Sequence, residues 1–112
     1  MAQKRNAKIN KIKKYIYEYI NILKNDGLSI KKIYFYGSQT KGIAKKDSDI
    51  DICIVSPEFK SRWDAFDYLW QKRSKQDILR GIEPVGYNPK DFIDEDPFVY
   101  EIKRTGQEIK IK

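Results

Sequence analysis

KIYFYGSQTKGIAKKDSDIDICIV, residues 32 to 55, is the stretch on which the fold turns. Lys32-Ile33-Tyr34-Phe35-Tyr36 is a short β-branched and aromatic run that stops at Gly37, which reads as a strand. Asp49-Ile50-Asp51-Ile52-Cys53-Ile54-Val55 is the clearest strand in the sequence, closed by Ser56-Pro57. A strand has a side-chain period of two, so Asp49 and Asp51 point to one face. Ile50, Ile52 and Ile54 point to the other and bury there. Ten residues separate Ser38 from Asp49, and the segment 38 to 44 reads as a turn and a short helix.

Working outward toward the N-terminus, Ile9, Ile12, Ile16, Ile20 and Leu23 recur at helical spacing, which predicts an amphipathic helix over 6–25. Asn25-Asp26-Gly27 ends it, with Gly27 suited to a left-handed cap. Toward the C-terminus, Ser61 caps a second helix, with Asp64 three residues on. Trp63, Phe66, Leu69 and Trp70 form its apolar stripe, expected to face the core, and the helix is expected to run to about residue 78. Ile82 to Gly86 reads as a third strand, and Pro84 places it at a sheet edge or near a strand end. Asp96-Pro97 opens a last helix through Thr105, Gly106 ends it, and Glu108 to Ile111 adds a short strand. Alternating helices and strands predict an α/β (α+β) domain over residues 1–112, with a small mixed sheet of three to four strands flanked by helices.

Composition removes whole classes of chemistry. The 112 residues contain no histidine and one cysteine, Cys53. Ser-His-Asp and Cys-His nucleophiles, His-ligated zinc, an internal disulfide and cysteine-rich clusters are all excluded. Any metal must be held by oxygen, which suits magnesium, calcium or manganese. The chain carries a formal charge of +7, unevenly placed. Residues 1 to 14 hold Lys4, Arg5, Lys8, Lys11, Lys13 and Lys14 and no acid, whereas acids dominate from Asp77 to Glu101. A basic face attracts polyanions, but the aromatic residues are not interleaved with the basic ones as in RNA-binding motifs, so nucleic acid is the weaker partner reading. The first residues lack the apolar run of a signal peptide, and no stretch approaches the length of a membrane span, which gives a cytoplasmic, membrane-free expectation.

The chemistry gathers on three carboxylates and a turn. Asp49 and Asp51 on one strand face repel each other unless a cation sits between them, so a pair that stays ionised invites a divalent metal. Glu83 lies between Ile82 and Pro84 on the next candidate strand, where a lone charge is costly to bury. Facing the same cleft as the Asp pair explains it. Asp77 and Asp91 are the alternative third acids. Gly37-Ser38 follows a strand and precedes a helix start, a place where backbone N–H groups meet an anion; Lys41, Lys45 and Lys46 follow in the same loop. The glycine spacing of a P-loop is present in Gly37 and Gly42, but Ile43-Ala44 stands where Lys-Ser/Thr is required.

Gly37-Ser38, ten residues, then Asp49-x-Asp51 resembles the signature of the DNA-polymerase-beta-like nucleotidyltransferases, and the whole chain resembles their minimal prokaryotic branch. IEPVGYNPKDF, from Ile82 to Phe92, is similar to the segment that carries their third carboxylate. The resemblance implies Asp49, Asp51 and Glu83 as Mg²⁺ ligands and catalytic residues, and Gly37 and Ser38 as nucleotide-phosphate ligands. It also implies ATP or another nucleoside triphosphate as donor. It further implies a separate HEPN-like toxin as partner, with this chain its antitoxin, moving AMP to a protein hydroxyl. A non-catalytic antitoxin that blocks its partner by contact is the alternative reading.

Overall fold

The computed structural model describes residues 2–37 and 49–111, with side chains from Ile9 onward. Helix α1 (Ala2–Asn25) leads to strand β1 (Lys32–Tyr36), and strand β2 (Ile50–Val55) follows. Helices α2 (Arg62–Gln71) and α3 (Lys75–Leu79) then cross to strand β3 (Ile82–Tyr87). A 3-10 turn (Pro89–Asp91), helix α4 (Pro97–Thr105) and strand β4 (Gln107–Ile109) complete the chain.

The four strands form one sheet in the order β3-β2-β1-β4, with β1 antiparallel to both neighbours and β2 parallel to β3. The expected mixed sheet flanked by helices is therefore found. Side chains alternate between its two faces as strand parity predicts. Ile33, Phe35, Ile50, Ile52, Ile54 and Ile82 pack on one face beneath Ile12, Ile16, Ile20 and Leu23 of α1 and Ala65 and Leu69 of α2. Each Ile, Leu or Phe among them contributes about 2 kcal/mol when fully withdrawn from water. On the opposite face Tyr34, Cys53, Val55 and Tyr87 pack with Phe92 and with Val99 and Ile102 of α4.

Local signals set the element ends. Gly27 takes φ +90°, Gly27 N–H donates to Lys24 O at 2.9 Å, and Leu28 N–H reaches back to Leu23 O at 3.1 Å. That bond pair is a Schellman closure of α1. Helix α1 begins at Ala2, earlier than the apolar spacing predicts, since that spacing reports only the packed face. Ser61 accepts from Asp64 N–H at 3.0 Å and starts α2 as expected. The single helix expected to about residue 78 is two helices. Ser74 accepts from Asp77 N–H while the Asp77 carboxylate accepts from Ser74 N–H, and this reciprocal box restarts the chain as α3.

The aromatic stripe of α2 also departs from expectation. Ala65 and Leu69 are buried, whereas Trp63 is 78% and Phe66 40% exposed. Gly86 explains the rotation. A Cβ there would lie 2.6 Å from Ala65 Cβ and 2.9 Å from Leu69 Cδ1, so α2 lies hard against β3 on its small side. Trp63 and Phe66 are turned away, whereas Trp70, like Leu69, packs inward as expected, partly buried against the core with its Nε1 donating to Pro84 O.

Candidate active site

Asp51 sits early in β2, paired across the sheet with Tyr36 of β1 on one side and Glu83 of β3 on the other. Paired residues on neighbouring strands share a face, so all three side chains stand on the α4 side of the sheet. Helix α4 covers that face, burying Val99 and Ile102 toward the Val55 end and resting the Phe98 ring edge to face on Tyr36 at 5.7 Å. Asp51, Glu83 and Tyr36 are left partly exposed at the other end. Asp49 is exposed just ahead of β2. Ile50 N–H binds Gly81 O at 2.8 Å, fastening the start of β2 to the start of β3.

The carboxylates crowd one another. Partial burial holds the Asp51 carboxyl above its ordinary value, and the charge of Asp49 pushes the same way. Glu83 is also held high, first by partial burial, then by the charge of Asp49, a hydrogen bond to the Asp49 carboxyl and the charge of Asp51; Arg73 pulls it back. Tyr36 is raised by its own burial and by Asp51 beside it. Cys53, two residues along the same face, is buried and its thiol is pushed up to about 12, so it serves packing and not nucleophilic chemistry.

Gly37 joins the turn to this group. Its φ is +88°, a conformation that side-chain-bearing residues avoid. A Cβ at this position would stand 2.5 Å from Asp51 Oδ2. The glycine is thus required twice, by the turn and by the carboxylate against it. Ser38, the other expected phosphate ligand, and Lys41, Lys45 and Lys46 lie outside the described residues.

Of the three possible third acids, only Glu83 stands beside Asp51. Asp77 is 1% exposed and is consumed by the α3 capping box. Asp91 is exposed beyond Tyr87, which pairs with Val55 at the opposite end of β2 from Asp51. Sequence reading did not single out Tyr36 or Arg73. Strand parity carries a signal for Tyr36, because it is the last residue of β1 on the face opposite buried Phe35; the place of Arg73 depends on the break after α2.

Among the described residues no three His, Cys, Asp or Glu side chains are gathered as a ready-made cation cage. The chemistry of the donors still fits a hard divalent cation. They are all oxygens, and at least two are held above their ordinary values in crowded, partly dry surroundings.

Comparison with known proteins bears on this geometry. Residues 16–112 match a family described as the nucleotidyltransferase domain. The 1.40 Å crystal structure of a Sulfolobus solfataricus protein, provisionally assigned as a nucleotidyltransferase, superposes with a TM-score of 0.53 at 14% identity. The match covers 96% of this chain and 82% of that one, and at this identity it establishes a shared fold. No curated protein matches the chain. Among the described residues no helix is long and apolar enough to cross a membrane.

Proposed function

This chain belongs to the nucleotidyltransferase domain family, and from that premise we propose that it moves AMP from ATP to a hydroxyl of a partner protein in the cytoplasm. Such domains take a nucleoside triphosphate and in general use divalent metals. The observation that carries the reading is the cross-strand pairing of Asp51 with Glu83, with Gly37 turning directly against the Asp51 carboxylate.

In this reading Asp49, Asp51 and Glu83 hold Mg²⁺, which when bound neutralises the triphosphate and the charge that builds on the leaving pyrophosphate. The Gly37-Ser38 turn binds the phosphates through backbone N–H groups and the Ser38 hydroxyl, and so aligns the α-phosphorus. The acceptor oxygen attacks that phosphorus, the bond to the bridging oxygen of the β-phosphate breaks, and pyrophosphate leaves. The hydroxyl proton passes to a carboxylate oxygen, of Asp51 or of Glu83. Most of the rate comes from alignment and charge neutralisation. Resemblance to the minimal branch supports the finer part of the reading, a separate HEPN-type toxin as acceptor and an antitoxin role for this chain.

The test uses ATP labelled at the α-phosphate, Mg²⁺, the pure protein and a lysate of its source organism, with a γ-labelled control. The expected result is a protein band labelled only from the α position, and absent with Asp49→Asn/Asp51→Asn. Equal labelling by that folded double variant would overturn the carboxylate assignment.

A further inference from the structure

Helix α2 carries an aromatic ladder on its outer side. The Trp63 and Phe66 rings meet edge to face at 6.0 Å, Phe66 stacks on Trp70 at 4.9 Å, and the Arg73 guanidinium lies 3.9 Å over Trp70. Trp63 and Phe66 are exposed and Trp70 is partly buried beneath them; exposed aromatics of this size are uncommon on a protein that leaves them to water, and Trp is the residue most enriched at binding hot spots.

The ladder adjoins the carboxylate site through the edge strand β3. Trp70 Nε1 donates to Pro84 O at 2.9 Å, and Arg73 donates to Ile82 O at 3.3 Å. These two outward carbonyls flank Glu83, and Pro84 has no N–H to offer. The edge is closed here to an added strand, so a partner must use side chains.

Charge narrows the partner. Residues 63 to 71 contain Asp64 and Asp67 and no Lys or Arg, in a chain of net charge +7. The neighbouring cations are turned elsewhere. Arg62 stacks on Tyr87 at 4.1 Å and donates to its hydroxyl, Lys72 pairs with Asp26 at 3.1 Å, and Arg73 is held by Trp70 and β3. The strip is therefore apolar, with Arg73 over its Trp70 end and acids at Asp64 and Asp67 along its Trp63–Phe66 end, where it suits a cationic surface better than a nucleic acid.

We propose that the Trp63–Phe66–Trp70 strip is the docking surface for the acceptor protein, which presents an apolar side chain flanked by Lys or Arg. The proposal rests on the transfer reading, because its partner is the protein that receives the nucleotide. Docking there places the partner along the outer edge of β3, the strand whose other face carries Glu83.

The chain has two tryptophans, both in this strip, so its tryptophan emission, excited where tyrosine does not absorb, reports on the strip alone. The probes are a Leu/Lys amphipathic helical peptide, a Leu/Glu peptide with the same apolar face, and single-stranded oligouridine. The Leu/Lys peptide is expected to shield the tryptophans from acrylamide, with about tenfold weaker half-saturation for Asp67→Lys and for Phe66→Ala, folding being checked by circular dichroism. Equal shielding by the Leu/Glu peptide or the RNA, shielding by raised protein concentration alone (a second copy), or no shielding would overturn it.

A second arm separates this proposal from the transfer reading. Trp63→Ala/Phe66→Ala should slow labelling of the acceptor band by about tenfold at limiting acceptor and keep the thermal stabilisation by Mg-ATP. Asp49→Asn/Asp51→Asn should lose both. Undiminished labelling by the strip variant would overturn the docking assignment alone. With no band from wild type the transfer reading fails, and the acceptor as occupant falls with it; the peptide titration still decides the chemistry of the strip.

Discussion

Asp51 and Asp77 are both aspartates withdrawn from water, and they are held in opposite ways. Asp77 is 1% exposed, yet its carboxylate accepts from Ser74 N–H at 2.8 Å while its own N–H donates to Ser74 Oγ at 3.1 Å. It is a closed local arrangement that starts a helix. Asp51 is half-buried on an open sheet face beside Glu83, with Asp49 adding like charge. One environment answers the charge with donors; the other answers it with more negative charge. The second is stable only at a cost, and such a cost points to function where the fold itself gains nothing from it.

The sharpest way to break this contrast is to neutralise both members of the pair. Asp49→Asn/Asp51→Asn should lower nucleotidyl transfer by at least about 10³-fold, since charge neutralisation at the phosphates supplies most of the rate. The same variant should match or exceed wild type in metal-free stability, because it removes repulsion. Label transfer and urea unfolding, read side by side, decide it; a variant that is inactive because it is unfolded would place Asp51 with Asp77.

Gly37→Ala tests the same group from the turn. The positive φ costs about 1–2 kcal/mol, and the new methyl meets Asp51 Oδ2. Transfer should fall by about 100-fold from misplaced phosphates and carboxylate, well beyond what the stability loss explains. Asp77→Ala should do the reverse. Loss of the capping box lowers stability by about 2 kcal/mol, seen as an earlier urea midpoint, while transfer per folded molecule stays within about twofold of wild type.

Much of this was legible in the chain itself, and the reasons are local. The parity of Asp49-Ile50-Asp51-Ile52 assigns faces without any partner strand, and Ser61 and Asp96-Pro97 announce helix starts through bonds that span three residues. Glu83 was legible too, as a lone charge in an apolar strand, and the parallel register of β3 against β2 sets it beside Asp51. What escaped was set by contacts distant in sequence. The outward rotation of Trp63 depends on Gly86 admitting Ala65, a contact between residues 21 apart in the chain. Helical periodicity identifies an apolar face but not which of two apolar arcs meets the sheet. On α2 the smaller side chains won because the backbone of β3 comes so close.

The smallest effect, and the most direct reading of the contrast, is in the pH dependence of stability without metal. Asp51 and Glu83 are held above their ordinary values of 3.8 and 4.5, so in that range the folded chain binds more protons than the unfolded one. Stability must then fall as pH rises from the ordinary carboxyl values through the raised folded ones, and the penalty is complete above them. Asp26 runs the other way. Tyr68 O–H donates to it and Lys72 stands 3.1 Å away, which holds it below 3.8, so its contribution is present above that value and is lost as pH falls below it. Urea midpoints in EDTA across the acid range should therefore show two opposed slopes. Asp51→Asn should weaken the decline above the ordinary carboxyl range, and Tyr68→Phe should weaken the loss at lower pH. Added Mg²⁺ should reduce the decline in wild type and leave the low-pH arm unchanged, because only the crowded carboxylates gain from a cation. An unchanged decline in Asp51→Asn would show that Asp51 is not under the electrostatic load that separates it from Asp77.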